Sequence, residues 1–465
     1  MPEMNQRIPK RILSGLLSSI SAGVVPRMGA PYIAIGRNEE IEALLSDLEA
    51  VNDGGGSMRF IIGKYGSGKS FLIQLVRGYA LERGFITADA DLSPERRICG
   101  AKGTGIATYR ELVKNLASKS SPDGGALAQI IAKWLSELQS EVAATGLEPG
   151  SEEFVKALTA KIYSVSRELE SQIGGFDFAT VLTTYYKAYI NGDEEHKSAC
   201  MRWLRGEYLT KTEARNAIGK SLGGIIDDDN WYEYIKLFAV FFRRIGYRGF
   251  VVFIDECVNL YKISNRISRE NNYEKLLSMF NDTLQGKAEG LALIFGGTPQ
   301  FLEDQRRGLF SYEALKSRLS DGQFQKAGFK NLIGPVIRLR RLSDDELFAL
   351  IKRITALHAQ NYNWQPRVTN EDMAAFLKHC LERAGADTMI TPREIIRDYM
   401  NVLNILLQNP DTTFADVVGS GAVSLSHGEN DEDKLIDDAD AAASDVKPSE
   451  RPRTVSDFSM EDIEL

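Results

Sequence analysis

A chain of 465 residues, 43% hydrophobic and 26% charged, is too long for one ordinary core and has the composition of a soluble globular protein, so two or three folded units are expected. No stretch approaches the roughly 20 apolar residues that cross a bilayer, and the N-terminus lacks a convincing cleavage site, which excludes a membrane span and makes the cytoplasm the expected compartment. The net charge of −8 sits in the last 45 residues, where 13 acidic side chains outnumber 4 basic ones; the remainder is near neutral, and charge neither indicates nor excludes nucleic acid.

Residues 1–31 read as a helix and a connector broken by Gly23, Pro26, Gly29 and Pro31. The first part of an α/β core follows over 32–116. It opens with Tyr32-Ile33-Ala34-Ile35-Gly36-Arg37, after which Asn38 is placed to cap a helix whose acidic first turn suits its dipole. Strands are expected at 60–62 and 84–92, and helices at 71–77 and 109–116. From 117 to 229 Ala-, Leu- and Glu-rich segments with helical spacing dominate, which predicts an all-helical insertion. The core resumes over 230–342 with apolar runs at 249–256, 291–298 and 335–339. Such runs, separated by helices, imply a parallel sheet buried on both faces. Residues 343–408 are expected to form a helical lid, and 409–465 an acidic tail too poor in apolar groups to fold. The end of the tail, with Phe458, Ile463 and Leu465 among acids, is either a short docking motif or more solvated chain.

Between the first strand and its helix lies Gly63-Lys64-Tyr65-Gly66-Ser67-Gly68-Lys69-Ser70, of the form G-x-x-x-x-G-K-S. Its glycines let successive N–H groups converge on one concavity, and the following helix aims its positive end there, so the loop fits a nucleoside triphosphate. Lys69 would reach the β- and γ-phosphates, and the Ser70 hydroxyl would sit on Mg²⁺. The strand at 249–256 ends in Asp255 and Glu256, at the carboxyl edge where ligands bind in open α/β sheets. Asp255 would hold Mg²⁺, and Glu256 would polarise the attacking water. Thr298 closes the next strand. Its hydroxyl would touch the γ-phosphate or that water, or else end the strand in an ordinary turn with Pro299.

Thr391-Pro392-Arg393-Glu394 has the form of a capping box, which accounts for every residue but Arg393. A cation in a helix's first turn is unfavourable unless an anion, such as bound ATP, lies opposite. Arg318 is a candidate for donation into a neighbouring subunit's site, with Arg306 and Arg307 as rivals. The clusters at Arg338, Arg340 and Arg341, and at Arg243 and Arg244, would face phosphates or pair with acidic helices. Four scattered cysteines and four scattered histidines suggest reduced structural thiols and give a zinc site no support.

In this order the Gly36-Arg37 box, phosphate loop, Asp-Glu strand end, Thr298, Ser317-Arg318 and Thr391-Pro392-Arg393 resemble an AAA+ ATPase of the origin-recognition or STAND kind. The resemblance implies that residues 32–37 line the adenine pocket, that Thr298 and Arg393 are its two sensors, and that a homo-oligomer forms. Lys69 and Asp255 stand 186 positions apart, far more than the compact core of that family needs. The opening Ile8-Pro9-Lys10-Arg11-Ile12-Leu13, the phosphate loop and Thr391–Glu394 are similar to the BREX-system ATP-binding proteins and the related ATPase of the Shango anti-phage system. That likeness implies phage defence with partner proteins, among them a TerB-like protein and a helicase, and with DNA. The expected function is therefore ATP hydrolysis that controls assembly or partner engagement. The alternatives are a slow STAND-like nucleotide switch and a scaffold working through its acidic tail.

Overall fold

The computed structural model describes residues 8–100, 102–170, 172–320, 331–383 and 391–419. The expected tail beyond 419, with its terminal docking motif, lies outside them. Helix α1 (Lys10–Ser21) buries Leu13, Leu16, Leu17 and Ile20 along one face and stops at Gly23, whose φ of 67° suits a left-handed cap. A 3₁₀ turn (Ala30–Ile33) leads to α2 (Asn38–Asn52). Asn38 is not the cap of this helix. Arg37 holds that position without a capping bond, because its guanidinium is drawn away into the interior, while Glu39 and Glu40 supply the acidic first turn.

Strand β1 (Ser57–Ile62), helix α3 (Lys69–Glu82), strand β2 (Ile86–Asp91) and helix α4 (Thr104–Lys114) complete the first part of the core. Helix α4 lacks a local cap. The Asp228 carboxylate, from the far end of the insertion, accepts the N–H groups of Gly103, Gly105 and Ile106 instead. Residue 117 pairs antiparallel with Thr87 and covers the outer edge of β2.

The insertion is helical, as its periodicity predicts: α5 (Leu127–Ala143), α6 (Glu152–Glu170), α7 (Gly175–Asn191), α8 (Glu194–Leu204) and α9 (Lys211–Ile218). Its core is aromatic and is completed by α10 (Trp231–Arg244), an amphipathic helix that buries Trp231, Tyr234, Phe238 and Phe241 and keeps Glu233, Lys236, Arg243 and Arg244 on one polar stripe. Trp134 of α5 meets Phe241 edge-on at 5.3 Å, Phe178 of α7 meets Phe238 at 5.2 Å, and Trp203 of α8 meets Tyr234 at 5.4 Å. On its other side α10 sends Phe242 edge-on to Phe250 of strand β3 (Phe250–Asp255), 5.3 Å away.

After β3 come α11 (Val258–Tyr261), α12 (Arg266–Leu284), β4 (Leu291–Gly297), α13 (Pro299–Glu303), α14 (Glu313–Leu319) and β5 (Val336–Arg338). The five strands form one parallel sheet in the order β2-β3-β4-β1-β5. Helices α2 and α3 cover one face, burying Leu44, Leu48, Leu72 and Val76 against Ile61, Val251, Phe253 and Ile294. Helices α10 and α12 cover the other, which is why the strands read as unbroken apolar runs. Strand β4 lies between β1 and β3, so the phosphate loop, Thr298 and Asp255 all leave the sheet along its carboxyl edge.

The segment expected as a lid consists of α15 (Asp344–Tyr362), α16 (Asn370–Arg383) and α17 (Pro392–Gln408). Helix α1 packs on α15 and α17 rather than on the sheet. Residues 414–419 form a further helix, α18 (Phe414–Gly419), inside the segment where the tail is expected to begin. Phe414 and Val417 are buried, and α18 packs against α17, which gives this stretch the apolar anchor that the following acidic sequence lacks. Among the described residues no helix is long and apolar enough to cross a membrane.

Candidate functional site

The loop after β1 is shaped by its glycines. Gly66 (φ 73°) and Gly68 (φ 88°) take the left-handed conformation that side chains resist, and a Cβ on Gly63 would collide with the Ser67 hydroxyl. Gly68 precedes α3, and a Cβ there would meet nothing within 4 Å, so the helix N-terminus opens onto free space. That is the geometry of an anion cradle. Lys69 Nζ lies over the loop, donating to the carbonyls of Gly63 at 3.0 Å and Lys64 at 3.4 Å. Tyr65 stands at the crest of the loop, 55% exposed.

Ser70 Oγ donates to Asp255 Oδ2 at 2.7 Å across 185 positions of sequence. Asp255 Oδ1 accepts the Glu256 N–H at 2.8 Å, so both carboxylate oxygens are oriented. Gly296 on β4 makes room for this, since a Cβ there would run into the Asp255 carboxylate. Glu256 is exposed and has φ 57°, a conformation uncommon for a residue with a long side chain. Burial pushes the thiol of the next residue, Cys257, well above its ordinary range.

Arg37 is only 4% exposed, and one of its Nη atoms donates to two carbonyls, Ser67 at 2.9 Å and Arg340 at 2.6 Å. Desolvation lowers its pKa, with Glu40, 3.5 Å away, opposing the shift. The geometry makes Arg37 a tie between the loop at 63–70 and the segment that joins β5 to the helices after it. Arg340 forks onto Glu346 at 2.6 and 2.5 Å, holding that carboxyl down to about 2, and Gly36 leaves the space that the Glu346 carboxylate fills. Thr391 caps α17 in a capping box with Glu394, as its sequence predicts.

The structure thus brings together residues 63–70, Asp255 and Glu256, with Gly36 and Arg37 behind the loop. Thr298 reaches the same edge, but its hydroxyl accepts the Phe301 N–H at 3.3 Å and caps α13, the turn-forming alternative. Arg318 is exposed and donates to Ala314 of its own helix at 2.8 Å. Arg306 is exposed, whereas Arg307 donates to the Tyr261 carbonyl and lies over the Tyr261 ring, 5.3 Å from its centre. Arg393 is exposed on α17, beside Gly23 at the end of α1. Arg338 pairs with Glu303, Arg340 with Glu346 and Arg243 with Glu289, the ion-pair alternative for these clusters.

One carboxylate of this edge escapes sequence reasoning. Asp91 ends β2 directly beside Asp255 in the parallel register. Desolvation first, and the charges of Asp255 and Asp89 next, raise its pKa. Its signal was the alternation Thr87-Ala88-Asp89-Ala90-Asp91, an edge strand turning acidic toward its end.

Ser70 and Asp255 offer only oxygen donors, the set that suits a hard cation such as Mg²⁺. Among the described residues no group of three or more His, Cys, Asp or Glu side chains could hold a metal ion, so such a cation would take its remaining ligands from phosphate and water. No curated protein matches the chain at a significant level. The family model of the BREX system ATP-binding protein BrxC/D matches residues 8–421, and the chain therefore belongs to this family of ATP-binding components of a phage-defence system.

Proposed function

We propose that the protein hydrolyses ATP as an AAA+-like component of its defence system, and that nucleotide state controls its engagement with partners or DNA. The observation that carries this reading is the 2.7 Å bond between Ser70 and Asp255, which joins the phosphate loop to the strand-end acids. In this reading the loop amides of 63–68 and Lys69 bind the phosphates, while Ser70 and Asp255 hold Mg²⁺. That ion would neutralise charge on the β- and γ-phosphates. Glu256 accepts a proton from the attacking water, and its exposure at the edge leaves it within reach of solvent. Arg37 acts here by fixing the loop and not by touching nucleotide. Thr298 and Arg318 keep their proposed roles only if nucleotide or a second copy draws them from their present partners, and Arg393 only if one of these comes to lie opposite it.

Steady-state ATP hydrolysis with and without duplex DNA tests the proposal. Lys69→Ala should abolish turnover. Glu256→Gln should retain nucleotide and lose roughly 10²–10⁴-fold in turnover. If Glu256→Gln hydrolyses ATP as fast as the parent, the assigned mechanism is wrong.

A slow nucleotide switch is the second reading, favoured by the contact of Thr391 at the lid with Gly66 in the loop. A lid seated on the phosphate loop suits retention. Purified protein that arrives with stoichiometric ADP would support it, and rapid multiple turnover would exclude it.

A further inference from the structure

Asp91 has no role in the mechanism above, yet the sheet puts it beside the residues that do. In the β2-β3 register Asp91 pairs with Asp255, Asp89 with Phe253 and Thr87 with Val251. Paired residues of parallel neighbours point to the same face of the sheet, and neighbouring strands lie about 4.8 Å apart. The face is identified twice. Phe253 and Val251 pack in the core with α3, and Asp89 pairs with Arg77 of α3 at 3.1 Å. Asp91 lies one pleat beyond Asp89, level with Asp255, on the side where α3 begins with Lys69 and Ser70.

Its backbone is held firmly. Arg96 Nε donates to the Asp91 carbonyl at 2.9 Å, the Leu92 N–H donates to the Asp255 carbonyl at 3.0 Å, and Asn259 Nδ2 donates to the Leu92 carbonyl at 2.9 Å. Arg96 therefore binds the main chain of Asp91, and its charge partly offsets that of the carboxylate, to which no hydrogen bond is made among the described residues. Asp89, one pleat below, is satisfied by Arg77. Asp91 is exposed at the strand end, so its carboxylate is free to turn toward a cation that would offset the like charge of Asp255. Mg²⁺ in phosphate sites takes one or two carboxylates, phosphate oxygens and water, which two neighbouring strand-end acids can satisfy.

We propose that Asp91 is a positioning residue for the nucleotide-bound Mg²⁺, from whose water shell its carboxylate would accept hydrogen bonds. The proposal rests on reading the site as one for ATP with Mg²⁺. It makes β2 as well as β3 part of the metal site and assigns the edge strand a function beyond closing the sheet.

The test is binding of a fluorescent ATP analogue by the full chain, titrated with Mg²⁺ from an EDTA-treated start. Asp91→Asn should bind nucleotide like the parent in EDTA and need roughly 10–100-fold more Mg²⁺ to reach the tight state. Asp91→Glu should recover part of that loss. Asp89→Asn breaks the Arg77 pair one pleat below, so it should lower the melting temperature and leave the Mg²⁺ requirement unchanged. An Mg²⁺ requirement in Asp91→Asn equal to the parent's, while Asp255→Asn shifts it, overturns the role of Asp91 alone. Nucleotide binding by Lys69→Ala equal to the parent's, or no Mg²⁺ effect in the parent, overturns the underlying site and this inference with it.

Discussion

Thr391 closes over Gly66: a Cβ built on Gly66 would lie 2.5 Å from the Thr391 γ-methyl and 2.7 Å from its Cβ. The cap of the lid's last long helix and the phosphate loop are thus fitted to each other. Gly66→Ala should lift the lid as well as strain a left-handed backbone, the second effect alone costing about 1 kcal/mol. Thr391→Ser keeps the capping hydroxyl and removes the γ-methyl. Combined with Gly66→Ala it should recover part of the lost stability and nucleotide affinity. Denaturant midpoints of the four proteins of this cycle measure the coupling, and strict additivity would show that the contact carries none.

Arg37→Ala should remove two bonds from a buried guanidinium, each worth about 1.5–3 kcal/mol. Arg37→Lys should recover little, because its shorter, differently placed ammonium does not bring a donor to the position from which one Nη reaches both carbonyls. Both variants release the Ser67 carbonyl, so nucleotide affinity should fall with stability. A variant that melts earlier yet binds nucleotide like the parent would separate the two effects and remove Arg37 from the site.

Glu256→Gly should act in opposite directions on stability and activity. Glycine accepts a φ of 57° without penalty, so the fold should gain up to about 1 kcal/mol while turnover is lost. Denaturant unfolding and hydrolysis assays on the same preparation check the pair of signs. Loss of both would mean that the side chain supports the fold.

His358 makes the lid sensitive to acid. Trp364 Nε1 donates to His358 Nδ1 at 2.9 Å, which leaves Nε2 protonated and donating to Asn404 Oδ1 at 3.1 Å. Burial lowers its pKa below 6.5, with the Asn404 bond opposing. The unfolded chain therefore takes up a proton before the folded one does. Stability from this group is complete above 6.5 and declines as pH falls below it. His358→Gln should melt earlier at neutral pH and lose less on mild acidification than the parent. An equal loss would locate the acid sensitivity elsewhere.

What the sequence disclosed follows from how local each signal is. The phosphate loop, the apolar run ending at Asp255 and the capping box at Thr391 are each written in a few adjacent residues, and all three adopt the expected local form. Arg37 was legible as part of a box but not as a tie, because one of its partners lies 303 positions away. Asp91 acquires meaning only through strand register, which periodicity does not supply. The cap of α2 was misassigned to Asn38 because capping propensity ignores the pull that a buried guanidinium exerts one residue earlier. The turn of helix at 414–419 is too short for a periodic signal and is fixed by packing on α17.

Helix α10 has one more consequence, for how this chain can be divided. In sequence the segment from 117 to 229 looks removable, an addition between two halves of an ATPase. In space its aromatic core is shared with the helix that roofs β3, and each large ring hidden there accounts for roughly 150–250 Å² of surface. Excising the segment at its apparent ends would leave Tyr234, Phe238 and Phe241 facing water on the back of the very strand that carries Asp255 and Glu256. It would also strip α4 of the Asp228 cap. The halves and the addition should be inherited, expressed and lost together.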